Sequence, residues 1–226
     1  MIRQALHRLA GPCFRVAGDP HVRDRVLAEM LDDGVTLDDA LRVLAETDPL
    51  QRARSGTIAS IPPEDVYAGA LAGVVMLPFL RPFQHRFNDA TFGAWYAGDQ
   101  PETSAIEKGF HLARHLRASA GESYEVSQRI VSARIREPLS NVRRGSAGVS
   151  PAVYDPDPAR YASANALGRA LRDAGAHGLY YDSVRRDGHQ CVAVYRPRIV
   201  ADVTLLGRVR FSWNRAEDVL ERYLEI

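Results

Sequence analysis

The sequence predicts an α+β fold in which helices and strands do not alternate regularly, and three observations carry that expectation. Residues 20–32 (PHVRDRVLAEMLD) set Val22, Val26, Leu27 and Met30 at helical spacing. Residues 123–135 (SYEVSQRIVSARI) alternate apolar and polar positions over a strand length. Residues 178–183 (GLYYDS) and 190–197 (QCVAVYRP) read as paired strands, with Asp187-Gly188 as the turn signal between them.

In chain order, residues 1–60 read as a mostly helical N-terminal lobe and about 60–226 as the remainder of a single domain. Pro20 suits a first helical turn. Thr36 resembles an N-cap, with Asp39 three residues on and Leu41, Val43 and Leu44 following. The acid pairs Asp32-Asp33 and Asp38-Asp39 fall near helix ends, where carboxylates complement the dipole. Ile61-Pro62-Pro63-Glu64-Asp65 is a turn. Beyond residue 85 the pattern shortens, with two strands expected to flank the turn FNDATFG (87–93). A helix is expected over Pro101–Ala118, with Thr103 or Ser104 near its start. Residues 153–178 read as a turn, a helix and a glycine stop. Residues 214–226 (NRAEDVLERYLEI) read as an amphipathic helix with Val219, Leu220, Tyr223 and Leu224 on one side.

Composition narrows the function. The chain is 46% hydrophobic and 25% charged with a net charge of +1, ordinary for a folded protein. That balance gives no electrostatic reason for a nucleic-acid or anionic-membrane partner. Lys108 is the sole lysine among 29 basic residues. The two cysteines, Cys13 and Cys191, lie far apart in apolar or strand-like contexts and read as buried free thiols, which suits a reducing cytoplasm. MIRQALHRLAGPCF lacks a continuous apolar h-region. Residues 68–80 are apolar but too short to span a bilayer, so a cytoplasmic protein is expected.

Familiar motifs are absent: no GxGxxG, no P-loop, no CxxC and no GxSxG. Glu107, His111 and His115 recur every fourth residue along one helix face. They lack the second acid of an HExxH site and a fourth ligand, so a polar helix face outweighs a metal site and no metal is expected. Tyr180, Tyr181 and Tyr195 read equally well as core. Ser183, at a strand end after Asp182, is read as a turn residue or a site residue.

Four residues remain: Arg86, Tyr96, Glu107 and Ser183. The first three recur at intervals of 10 and 11. The spans HRFNDATFGAWYAGDQPETSAIE and VYDPDPARYASANALGRALRDAGAHGLYYDSVRRDGHQCVAVYRPR resemble the two halves of the RES domain, named for its arginine, glutamate and serine. The resemblance covers roughly residues 60–200, and weakly CFRVAGDP. It implies an ADP-ribosyltransferase-like core of short mixed strands with flanking helices, and a toxin of a bacterial toxin–antitoxin pair. NAD is then a substrate consumed by hydrolysis or phosphorolysis, with no permanently bound cofactor. A mono-ADP-ribosyltransferase modifying a host protein is the alternative. The implied partners are NAD and a cognate antitoxin with a helix-turn-helix region, and the complex admits a homo-oligomer. The acid sits here in SAIEKG, a departure from the smaller context expected.

The chemistry agrees with those four residue types. Cleaving the nicotinamide–ribose bond develops positive charge on the ribose. The pyridinium leaves as neutral nicotinamide without a general acid, so one carboxylate suffices. Glu107 is the expected catalytic acid residue, holding a ribose hydroxyl and stabilising the cation. Arg86 suits the diphosphate, Tyr96 offers a flat face to nicotinamide, and Ser183 orients Glu107 or substrate. His85 and Asn88 flank the site as further binding candidates. Arg185 is expected either at a second phosphate oxygen or paired with Asp182 or Asp187. Trp95, on the opposite strand face, reads as core.

Overall fold

A computed structural model describes residues 4–18, 36, 49–56, 58, 61–119 and 123–226. The helices expected over 20–32 and after Thr36 lie outside the described residues. Among the described residues, nine strands form one sheet and four α-helices cover it. The strands are β1 (Leu6–His7), β2 (Cys13–Ala17), β3 (Trp95–Gly98), β4 (Tyr124–Ile135), β5 (Leu139–Asn141), β6 (Gly178–Asp182), β7 (Gln190–Val194), β8 (Val200–Asn214) and β9 (Val219–Glu225). The helices are α1 (Pro49–Arg54), α2 (Ala72–Leu80), α3 (Pro101–Ala118) and α4 (Ala162–Asp173). Their order in the sheet is β1-β5-β6-β7-β3-β2-β4-β8-β9. Only β5 and β6 run parallel; the other neighbours are antiparallel.

Strand alternation sorts side chains to two faces. Trp95, Ala97, Val131, Val192 and Val194 pack with Leu50, Ala53, Val75, Met76 and Phe79 of α1 and α2. On the other face, Leu179, Tyr181, Cys191, Ala193 and Tyr195 pack under α4 through Ala164, Leu167 and Leu171. Beside them α3 lays Ala105 and Leu112 on Val16, Ile130, Val209 and Phe211. Trp95 is fully buried, as its strand alternation implied.

Three expectations are corrected. Residues 214–226 do not form a helix. They complete β8, turn through Asp218 at positive φ, and return as β9 paired with β8 from Arg208↔Glu225 to Asn214↔Val219. Val219, Leu220, Tyr223 and Leu224 satisfy a helical face on paper, but the 15-residue β8 offers a partner edge whose main-chain bonds prevail. The FNDATFG turn is flanked by one strand only, β3; before it stands an isolated bridge, His85↔Asn88. The strands are also not uniformly short, since β4 and β8 run 12 and 15 residues. Cys13–Ala17, within the N-terminal segment, is an inner strand between β3 and β4. The hairpin at Asp187-Gly188 forms as expected, with Gly188 at φ 76°. Among the described residues no helix is long and apolar enough to cross a membrane.

Candidate active site

The sheet opens at one place. β2 pairs with β4 along its whole length, Cys13↔Ala133 to Ala17↔Arg129, but with β3 only at Phe14↔Gly98. Ser104, in the first turn of α3, supplies what the ladder lacks. Its Oγ accepts from Gly98 N at 2.9 Å and donates to Phe14 O. One residue further along, Arg15 Nη1 donates to Tyr96 O at 2.9 Å. Beyond this split lies a cleft of about 880 Å³, counting its open mouth. Arg15, His85, Arg86, Tyr96, Glu107, Lys108, His111, Tyr161, Tyr181 and Cys191 line it.

Glu107 enters from α3. Pro101 opens that helix, and Thr103 Oγ1 donates to Asp99 Oδ1 at 2.7 Å, fixing its start. Asp99 Oδ2 also accepts from Gln190 N at 3.1 Å and meets His189 Nδ1 at 3.0 Å, tying α3 to β7. Two residues past Glu107, Gly109 brings the helix onto the Phe211 ring; an added Cβ there would stand 3.3 Å from that ring.

Ser183 follows the last residue of β6 and is almost fully buried, at 1% exposure. Its Oγ accepts from Arg185 N at 3.1 Å and Arg186 N at 3.0 Å, and donates to Glu107 Oε1 at 2.6 Å. Ser183 therefore shapes a turn and holds Glu107 with the same hydroxyl. Among the described residues Glu107 Oε2 has no hydrogen-bond partner.

Arg86 is buried at 7% exposure in the turn before β3, not on a strand facing Tyr96. Its Nη1 donates to Val153 O at 2.9 Å and Asp155 O at 2.8 Å, its Nη2 to Tyr161 Oη at 3.2 Å, and its guanidinium lies over the Tyr161 ring at 4.3 Å. Arg86 thus fastens residues 153–161 to the cleft. Asn165 of α4 grips the same turn, donating to His85 O at 2.6 Å, Arg86 O at 2.8 Å and Asn88 O at 3.2 Å. The approach requires Gly168, where a Cβ would collide with the Phe87 carbonyl and the Tyr195 hydroxyl.

The Tyr96 ring lines the cleft while its hydroxyl belongs to the turn. The hydroxyl donates to Asn88 Oδ1 at 2.8 Å and accepts from Phe87 N at 3.0 Å. Burial pushes the phenol pKa up. Asn88 is 1% exposed, and its amide donates to Phe83 O, Asp89 O and Phe92 O, so it positions Tyr96 and does not line the cleft. Arg185 makes neither ion pair foreseen for it. Its Nη2 donates to Pro156 O, and its guanidinium stacks 3.5 Å over the Phe110 ring.

His85 meets Tyr96 edge to face with centroids 5.4 Å apart, and His111 at 5.5 Å. Burial first, then the charges of Arg15 and Lys108, lowers the His85 imidazole pKa to about 4. Burial, His85 and Arg114 lower that of His111 to about 4. Both are neutral at pH 7. Sequence reasoning overlooked His111, Arg15 and Lys108 as cleft residues. His111 was legible, standing one helical turn after Glu107 on the same face. Arg15 was not, because its neighbours lie some eighty residues on.

A family model described as the RES domain matches residues 59–214 of the chain. No curated protein matches the sequence.

Proposed function

The chain belongs to the RES domain family, known from toxin–antitoxin systems and from activity on NAD, and on that premise we propose that it is a toxin that cleaves the nicotinamide–ribose bond of NAD and so depletes it. The observation that carries the reading is the Ser183 Oγ to Glu107 Oε1 hydrogen bond of 2.6 Å beside the cleft that Glu107 lines. It holds a carboxylate in one orientation with its second oxygen free.

The chemistry follows from that carboxylate. When the ribose C1–nitrogen bond breaks, its electron pair passes to the pyridinium nitrogen, and nicotinamide leaves neutral. No proton has to be delivered. The positive charge left on the ribose is what the site must stabilise. Glu107 Oε2 is placed to accept a hydrogen bond from a ribose hydroxyl and to face that charge. Water or phosphate then forms the new bond to C1, and with water the released proton passes to Glu107 or solvent. The Tyr96 ring, immobilised by its hydroxyl, forms a flat wall for nicotinamide, and stacking of this kind contributes about 0.5–1.5 kcal/mol beyond burial. Arg86 holds the 153–161 wall and adds positive potential for the diphosphate. The neutral imidazoles of His85 and His111 present polar edges without repelling the nicotinamide cation. An antitoxin that covers this cleft is the partner the family association implies.

The test is incubation of the pure protein with NAD, with and without phosphate, following nicotinamide and the ADP-ribose product. Turnover without a protein acceptor, abolished in Glu107→Gln, is expected. No turnover, with ADP-ribose label appearing on a lysate protein, would instead give the transferase reading.

A further inference from the structure

We propose that Arg186 is a positioning residue for Glu107: its backbone amide and its guanidinium together clamp the turn after β6 onto the first two turns of α3, and so fix the Ser183 hydroxyl against the acid. The kinetic part of this inference rests on the function proposed above. Among the described residues the protein's hold on the Glu107 carboxylate is the Ser183 hydroxyl, 76 residues further along the chain. That contact lasts only while the turn and the helix keep their places. Arg186 reaches both. Its N–H donates to Ser183 Oγ at 3.0 Å. Its Nη1 donates to Thr103 Oγ1 at 2.9 Å and to Gln100 Oε1 at 3.2 Å. Thr103 and Glu107 stand four residues apart, so they share the face of α3 that meets the turn.

The direction of the protons is fixed as well. Amide and guanidinium N–H groups donate and cannot accept, so a hydroxyl that receives such a bond turns its own proton to another acceptor. Ser183 thereby donates to Glu107 Oε1 at 2.6 Å, and Thr103 to Asp99 Oδ1 at 2.7 Å. Ser183 and Thr103 are sealed from water, at 1% and 0% exposure, where an unmade bond costs most. Arg186 thus heads two parallel hydrogen-bond chains. One ends on the acid of the cleft, the other on the carboxylate that fixes the start of α3. The far end of the turn is tied to that same carboxylate through His189 Nδ1 at 3.0 Å and Gln190 N at 3.1 Å. Gly98 leaves room for the arrangement, since a Cβ there would stand 2.8 Å from the Thr103 Cβ. A role in stabilising the helix alone fails on charge. Gln100 is the N-cap of α3, so the guanidinium stands at the positive end of the helix, where a cation opposes the dipole. Arg186 does not line the cleft either, and its neighbour Arg185 is spent on Pro156 O and the Phe110 ring.

Steady-state kinetics of nicotinamide release by the full chain test the clamp, with Arg186→Met, Thr103→Val and Thr103→Ser. Valine keeps the shape of Thr103 without the hydroxyl, and serine keeps the hydroxyl. Arg186→Met and Thr103→Val are each expected to lower kcat about tenfold, with KM for NAD within about twofold of wild type. Thr103→Ser is expected to keep most of the wild-type kcat. An Arg186→Met protein with wild-type kcat and KM overturns the proposal. A rise in KM with kcat unchanged would make Arg186 a substrate-binding group and overturns it too. Thr103→Ser as slow as Thr103→Val would assign the effect to packing of the methyl group, against the clamp. Should Arg186→Met fail to fold, the two Thr103 variants decide. Hydrogen exchange at the Arg185 and Arg186 amides, read by NMR, tests the clamp without NAD. Both amides end on Ser183 Oγ, and they are expected to exchange severalfold faster in Thr103→Val than in wild type or Thr103→Ser. If wild type consumes no NAD, the function proposed above falls, while faster exchange still upholds the clamp. Unchanged exchange overturns the clamp whether or not NAD is consumed.

Discussion

The hydroxyl of Ser183 and the carboxylate of Glu107 meet at 2.6 Å, and the same oxygen of Ser183 caps two backbone amides of the following turn. One atom thus joins the loop after β6 to the helix that bears the acid. Ser183→Ala removes both functions. It is expected to cost about 1–3 kcal/mol in denaturant unfolding and to lower kcat for NAD with little change in KM, because the ring and cation contacts to substrate stay. Restoration of the midpoint but not of kcat by a second-site stabilising substitution would separate the two effects.

Glu107→Gln keeps the size of the side chain and the contact with Ser183 while removing the charge. The unfolding midpoint is expected to stay within the range of surface substitutions. The rate of nicotinamide release is expected to fall by about two to three orders of magnitude, the scale of losing one preorganised electrostatic group. Stopped assays with a nicotinamide readout measure it.

Arg86→Met is predicted to behave as a structural lesion first. It leaves the carbonyls of Val153 and Asp155 and the hydroxyl of Tyr161 without their donor. A loss of about 3–5 kcal/mol is expected, the range for breaking a buried charged network. Chemical denaturation would show it in the absence of any substrate, and Arg86→Lys would recover only part, since an ammonium lacks the fork.

Tyr96→Phe keeps the ring and removes the hydroxyl that accepts from Phe87 N and donates to Asn88 Oδ1. Stability is expected to drop by about 1–3 kcal/mol, with KM for NAD nearly unchanged. Tyr96→Ala, which also removes the ring, is expected to raise KM. The split between the two variants in steady-state kinetics checks the assignment of the ring to the nicotinamide wall.

Acid should loosen the cleft. His85 and His111 titrate at about 4 in the folded protein and near 6.5 when unfolded, so between those values the unfolded chain binds more protons. Their contribution to stability is present above about pH 6.5 and is lost as the pH falls through about 4. Replacing both by Gln should flatten that part of the stability profile by about 3–6 kcal/mol, read from denaturant midpoints across pH 4–7.

How far the sequence disclosed this molecule depended on how local each feature is. Helix α3 was legible in full because Pro101, its acidic first turn and its apolar spacing all lie within the element. The β6–β7 hairpin was legible from Asp187-Gly188. The C-terminal hairpin was not: VLERYLE fits a helical face, and only the remote edge of β8 decides for a strand. In the site, Arg86, Tyr96, Glu107 and Ser183 stood out because a family pattern marks them, while their contacts did not. That Arg86 spends its donors on Val153 and Asp155, and that Arg15 arrives from β2, are facts of pairing across long stretches of chain. No window of sequence displays them.

The parting of β2 from β3 has one more consequence. The gap is propped by Ser104 and Arg15, side chains of the framework itself, and β2 keeps its register through β4 on its other flank. Because those walls belong to the framework, a partner that restrains the function proposed above would act by covering the mouth of the cleft, not by distorting its strands.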